Sequence, residues 1–258
     1  MKITFLGNGD SLGTPRVYCD CEVCAEARKT GENVRLRPSV WLEAEGEEPL
    51  LVDCGPDWRT QMERLGVRKV GRCLLTHAHF DHIGGLVEWA DACRWREETA
   101  DLYAPGEVLE EVMGRFPWLG GRLTMKAVDG GLSYGGWTVR TWKVNHGKNG
   151  FAYAYRFDPP DGRSKPWAYC PDSFDLSDEE KRPLRGLGLL VLGTSFYEEP
   201  YPRETRSLYD VREGLRLAAE VGAERAIFTH QSHDIDLRRD YGLPPSVRFA
   251  REGMTVRP

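Results

Sequence analysis

The chain has 258 residues, of which 40% are hydrophobic and 29% charged, and a formal net charge of −5. That length suits one large domain, spanning 1–258, whose core needs no disulfide staples. The acidic balance, with no basic segment standing out, argues against a nucleic-acid partner, and no apolar run approaches the length that crosses a bilayer. The first residues, Met1 to Gly7, lack the long apolar region of a signal peptide, so a cytoplasmic location is expected.

Read in order, Lys2 to Gly7 alternates apolar and polar residues and predicts a first strand. The glycine-rich run from Gly7 to Pro15 predicts a loop able to approach a ligand closely. Ser39 to Glu43 and Leu50 to Cys54, separated by a turn-like Glu45-Gly46-Glu47-Glu48-Pro49, predict a hairpin. A short helix is expected from Asp57 to Leu65, then a buried strand from Cys73 to Leu75. Helices follow at Val87 to Glu97 and Gly106 to Phe116, the second with Val108, Leu109, Val112, Met113 and Phe116 at helical spacing. Trp137 to Val144 and Phe151 to Phe157 predict a strand pair around His146. Further strands are expected at Trp167 to Cys170, Leu187 to Leu192 and Ala226 to Thr229, with a helix from Val211 to Val221. Strands interspersed with helices in both halves suit a layered α/β domain.

The most informative stretch is Thr76-His77-Ala78-His79-Phe80-Asp81-His82-Ile83-Gly84-Gly85. Three of the six histidines lie here. Successive residues of a strand alternate faces, so a strand could not aim these four groups at one point. A loop running from a strand end into a helix can, and metal ions are a natural object for such a cluster. The bland alternative is a polar loop that happens to carry histidines. His146, Asp172 and His230 each follow an expected strand, where an α/β layer collects its site residues. Asp53, at another strand end, is either a carboxylate that orients a ligand histidine or a turn-capping residue.

The pattern His77-x-His79-x-Asp81-His82 resembles the metal signature of the metallo-β-lactamase-fold hydrolases, and His146, Asp172 and His230 fall in order on that family's later ligand motifs. The resemblance implies a four-layer αββα sandwich. It also implies one metal on His77, His79 and His146, a second on Asp81, His82 and His230, and Asp172 bridging the pair. Such a pair lowers the pKa of a bridging water and stabilises charge on the substrate's oxygens; Asp81 is the residue expected to matter most to catalysis. Mixed histidine and carboxylate ligation admits Zn, Mn or Fe(II).

Seven cysteines are present, and three of them crowd into Cys19-Asp20-Cys21-Glu22-Val23-Cys24. An odd count with this clustering argues for metal rather than a disulfide framework. A closed zinc site takes four ligands, and His233, the histidine not yet assigned, would complete Cys19, Cys21 and Cys24. A redox Cys-x-x-Cys or an unpaired reactive cluster are the alternatives. Cys54, Cys73, Cys93 and Cys170 lie in or beside apolar runs and read as small buried hydrophobes.

Gly13-Thr14-Pro15, the cysteine triplet, Arg37-Pro38-Ser39, His146-Gly147-Lys148 and Thr229-His230-x-x-His233 together resemble the cyclic-phosphate phosphodiesterase branch of this fold. The cysteine cluster is also shared by the pyrroloquinoline quinone biosynthesis branch. The first resemblance implies Mn or Zn at the paired site, a small cyclic phosphodiester substrate and a homodimer. Those phosphodiesterases carry a further histidine that protonates the leaving alkoxide, and its place here falls near Leu208. Tyr197, Tyr209 or a nearby glutamate would have to substitute, or the substrate has a better leaving group. A ribonuclease Z-like nuclease, an oxidative or cofactor-biosynthesis relative and a non-catalytic metal-binding protein are the competing readings.

Overall fold

The computed structural model describes residues 1–160, 162 and 164–258. Among the described residues, fourteen strands form two seven-stranded sheets. The first contains β1 (Lys2–Gly7), β2 (Ser39–Glu43), β3 (Leu50–Val52), β4 (Arg72–Leu74), β5 (Ala100–Ala104), β6 (Leu123–Ala127) and β14 (Thr255–Val256), in the order β14-β1-β2-β3-β4-β5-β6. The second contains β7 (Leu132–Tyr134), β8 (Trp137–Asn145), β9 (Phe151–Asp158), β10 (Trp167–Cys170), β11 (Leu189–Gly193), β12 (Ala226–Thr229) and β13 (Val247–Phe249), in the order β13-β12-β11-β10-β9-β8-β7. The helices are α1 (Glu22–Lys29), α2 (Trp58–Leu65), α3 (Phe80–Ile83), α4 (Leu86–Trp95), α5 (Gly106–Arg115), α6 (Asp178–Lys181) and α7 (Val211–Glu220).

Period-two side-chain alternation explains why central strands read as unbroken apolar runs. In β11, Leu189 and Val191 enter the layer between the sheets, whereas Leu190 and Leu192 join the outer core with Val211 and Leu217 of α7. In β3, Leu50 and Val52 face the inter-sheet layer, and Leu51 packs outward with Leu86 and Trp89 of α4. Three apolar layers result, one between the sheets and one beneath each helical face. This is the expected αββα sandwich. In the middle layer the rings of Phe157 and Trp167 stack at 4.1 Å.

Topology gathers the strand ends. In the first sheet β3 and β4 run parallel, so Asp53 and the His77 loop leave from the same edge. In the second, β10, β11 and β12 are mutually parallel, and β8 pairs antiparallel with β9, which pairs antiparallel with β10. The exits of β8, β10 and β12 therefore share an edge, and they carry His146, Asp172 and His230. A parallel bridge between Gly9 and Gln231 joins the two sheets at this edge, as does the hydrogen bond from Tyr153 N–H to the Thr76 carbonyl, at 3.0 Å.

Several elements differ from expectation. The strand expected over Leu50 to Cys54 stops at Val52, because Asp53 turns to φ 62°. Helix α1 begins within the cysteine cluster, so Cys24 is helical while Cys19 and Cys21 precede it. Strands β5, β6, β7, β13 and β14 were not expected; β7, β13 and β14 are at most three residues long, whereas Leu123–Ala127 of β6 does alternate apolar and polar residues. Gly55 sits where chain segments nearly touch, and a Cβ there would fall 2.1 Å from the Asp81 carbonyl oxygen. Gly55→Ala is expected to cost about 1–3 kcal/mol, roughly 2–4 °C of melting temperature per kcal/mol, measured by thermal unfolding.

Candidate metal centre

The residues of the candidate centre lie just beyond strand ends, except Asp81 and His82, which sit a few residues further on in a short helix. His77 and His79 occupy the loop between β4 and α3, and Asp81 and His82 the first turns of α3. Asp53 and His230 each follow the last residue of a strand, with φ 62° and 60°. Non-glycine residues rarely adopt such left-handed backbone, and they persist where their surroundings over-determine them. The turn aims each side chain back across the edge instead of along the strand.

The donor atoms converge in two overlapping sets. Atoms of His77, His79 and His146 lie within 4.8 Å of one another, and so do those of Asp81, His82 and His230. Asp172 reaches both sets: its carboxylate is 3.5 Å from His146 Nε2, 3.1 Å from His82 Nε2 and 3.2 Å from His230 Nε2. His77 Nε2 and His79 Nδ1 are 2.8 Å apart. Asp81 Oδ2 stands 3.3 Å from both His82 Nε2 and His230 Nε2.

The outer partners fix which nitrogen faces inward. His82 Nδ1–H donates to Asp53 Oδ2 at 2.8 Å, and His146 Nδ1–H donates to the Ser207 carbonyl at 2.7 Å. Both rings thus turn Nε2 toward the centre, the usual arrangement of a ligand histidine. Asp53 is fully buried and also accepts from Thr76 N–H and Thr76 Oγ1 at 2.8 and 3.0 Å. The structure gives it the histidine-orienting contact. His82 Nε2 and Asp172 Oδ2 are buried and face each other without a hydrogen bond. That is the state of donors aimed at a common third point.

Electrostatics lead the same way. Burial pushes the pKa values of His77, His79 and His146 down, which keeps them neutral with lone pairs available. Burial opposes charge on His82 and His230 too, but Asp81 and Asp172 outweigh it and push both up. Asp81 and Asp172 lie below the usual carboxylate range because, against burial, these histidines hold them anionic. Burial raises Asp53, with His82 opposing. Buried carboxylates this close together demand positive charge, and divalent cations would supply it. The residues fit the group.

The second cluster is as compact. The Sγ atoms of Cys19, Cys21 and Cys24 lie 3.3, 3.4 and 3.4 Å from His233 Nδ1. A tetrahedral zinc ion, with bonds of about 2.3 Å to sulfur and 2.0 Å to nitrogen, would set that separation at about 3.5 Å. Arg16 N–H points at Cys24 Sγ at 3.4 Å, and Arg28 braces the loop through the carbonyls of Cys19 and Arg16, each at 2.7 Å.

A cavity of about 200 Å³ opens over the histidine centre. Its walls include residues that the sequence did not mark as a site: Asp10, Ser11 and Arg16 from the first loop, Asn149 beyond β8, and Ser195 and Glu199 beyond β11. Leu208 also lines it, at the expected place of the general acid, with Thr205 and Ser207 beside it. Neither tyrosine offered as a substitute does. The Tyr209 hydroxyl accepts from Leu176 N–H at 2.8 Å, and Tyr197 borders a separate pocket with Asp234 and Tyr241. The glycine-rich first loop, the His146-Gly147-Lys148 motif and the expected place near Leu208 were the sequence signals for parts of this wall.

Two sheets with imidazoles and carboxylates gathered at one shared edge are the architecture of metallo-β-lactamase-fold hydrolases. The chain belongs to the β-lactamase superfamily, whose domain matches residues 49–231. It is similar to a crystal structure described as a new diphosphatase from the PhnP family, at 29% identity and TM-score 0.85, covering 99% of this chain and 97% of that one. Zn²⁺-bound PqqB from Methylobacterium extorquens shares the fold at TM-score 0.79 and 18% identity, over 100% of both chains. A Porphyromonas gingivalis protein named octanoyltransferase is 27% identical over 98% of this chain and 51% of its own length. The chain thus spans about half of that relative. The fold implies divalent metal ions. Among the described residues, no helix is long and apolar enough to cross a membrane.

Proposed function

We propose that the protein is a dinuclear metal-dependent phosphodiesterase acting on a small phosphodiester. The observation that carries this is Asp172, buried between two histidine sets and within 3.5 Å of His82, His146 and His230. His77, His79 and His146 would hold one divalent ion, Asp81, His82 and His230 the other, and Asp172 both. Manganese or zinc suits these donors, with iron(II) a third option. When bound, the ions supply a water of lowered pKa and positive charge for the phosphoryl oxygens.

The chain's own residues do the remaining work. Asp53 and the Ser207 carbonyl hold His82 and His146 in register. Lys148, in the cavity wall, attracts an anionic substrate, and Arg16, paired with Asp10, lines the same cavity. The small, polar cavity favours a metabolite-sized phosphodiester over a nucleic acid. The name of the solved relative from the PhnP family supports phosphorus–oxygen hydrolysis. The name octanoyltransferase describes a protein about twice as long and does not transfer to this chain.

A substrate panel tests this reading. Relative to the uncatalysed rate of each ester, bis(p-nitrophenyl) phosphate should be accelerated at least about 10²-fold more than p-nitrophenyl acetate, as expected where charge stabilisation is built for phosphoryl oxygens. Preference for the acetate ester would contradict it. We also assign a structural zinc ion to Cys19, Cys21, Cys24 and His233. Cys24→Ser is expected to lower zinc content by about one ion per chain, since a closed site needs all four ligands; elemental analysis reads this directly.

A further inference from the structure

We propose that Glu199 is the general acid that protonates the leaving oxygen, a role that rests on the phosphodiesterase reading above. Displacing an alkoxide or phenoxide from phosphorus leaves a basic oxygen, and a positioned proton donor lowers that barrier. The donor must line the cavity, must not be needed as a ligand and must hold a proton near neutral pH.

Glu199 meets these conditions. It lines the same 200 Å³ cavity as Asp81, Asp172 and His230, and its side chain is only 10% exposed. Its segment is fixed to the start of α7 by the hydrogen bonds Ser195 N–H to the Tyr209 carbonyl at 3.1 Å and Val211 N–H to the Phe196 carbonyl at 2.8 Å. Glu199 N–H itself donates to Asp210 Oδ2 at 3.2 Å.

The charge balance around Glu199 favours a retained proton. Three carboxylates share the Arg206 guanidinium: Glu199 at 3.2 Å, Asp210 at 3.5 Å and Glu213 at 2.5 Å. Arg203 reaches only Glu213 in this group, at 3.3 Å. One to two positive charges therefore face three carboxyl groups, and Glu199 is the one that opens on the cavity. Burial pushes its pKa up, with Arg206 opposing and Asp210 and Glu213 adding to the rise.

The other acids of the cavity are less suited. Asp10 is committed to Arg16 at 2.5 Å, and Lys148 and Arg16 are cations of a class far less acidic than a carboxyl group. In the step itself a water oxygen bonds to phosphorus and the bond from phosphorus to the leaving oxygen breaks. The Glu199 carboxyl proton passes to that oxygen, and the carboxylate regains a proton from the water consumed. The sum is diester plus water giving monoester plus alcohol.

The test compares Glu199→Gln with the unaltered metal-loaded enzyme on two diesters that differ in leaving-group basicity. Diphenyl phosphate needs the acid; bis(p-nitrophenyl) phosphate does not. The variant should lose on the order of 10²-fold on diphenyl phosphate and less than about threefold on bis(p-nitrophenyl) phosphate. It should also lose the alkaline limb of the diphenyl phosphate pH–rate profile, because the acid works only while protonated. Glu199→Asp, which keeps an acid, should recover part of the rate, and equal metal content and melting temperature exclude a folding defect. Equal losses on both esters, or no loss on either, would overturn the role while leaving the phosphodiesterase reading intact. Turnover of inorganic diphosphate with diphenyl phosphate refused by the unaltered enzyme would overturn it in favour of a substrate that supplies its own good leaving group. No diester turnover at all would sink the reading beneath it, and the role with it.

Discussion

Asp172→Ala should reduce phosphodiester hydrolysis by more than the roughly 10–100-fold typical of losing an outer partner of a metal site, and should empty the paired centre. Asp172 is 2% exposed. It joins the two histidine sets, and its charge helps push His82 and His230 up. Removing it leaves buried positive charge partly uncompensated, a loss of about 3–5 kcal/mol for a broken buried pair. The metal-free variant should therefore melt lower than the metal-free parent. Elemental analysis, thermal unfolding and turnover measure the three effects. Full activity with normal metal content would show that Asp172 bridges nothing.

Asp53→Ala should lower metal affinity or activity about 10–100-fold without touching a direct ligand. Asp53 accepts from Thr76 N–H, Thr76 Oγ1 and His82 Nδ1–H, all buried. Leaving such donors without a partner costs about 1–3 kcal/mol each, and His82 becomes free to rotate. Asp53→Asn is the informative companion. Asparagine tolerates the left-handed backbone and still offers one accepting oxygen, so it should fall between alanine and the parent. Metal titration of both variants separates the orienting role from a turn cap, since a cap would alter stability and leave metal affinity unchanged.

Much of the centre was legible because its residues follow apolar strands directly. The run from His77 to His82 concentrates donors, and His146, Asp172 and His230 each end a readable strand, so chain position alone set their edge. Other features depend on contacts between distant segments. Nothing in the sequence around Glu199 distinguishes it from Glu198, yet only Glu199 lines the cavity, because its segment is pinned to the start of α7. Arg16 reaches the same cavity through a loop braced by Arg28 and the cysteine cluster. The left-handed turns at Asp53 and His230 were invisible, since no glycine marks them. Strands β13 and β14, three and two residues long, are too short to show a period.

The most direct measurement is hydrolysis of bis(p-nitrophenyl) phosphate by protein stripped of metal at the paired site and then restored separately with manganese, zinc and iron(II). This activated diester is independent of any general acid, so it reports on the metal centre alone. Turnover that is absent in the stripped protein, returns with metal and is lost in Asp81→Ala and His79→Ala is the expected result. About two ions bound per paired site with no turnover under any metal would contradict the phosphodiesterase account.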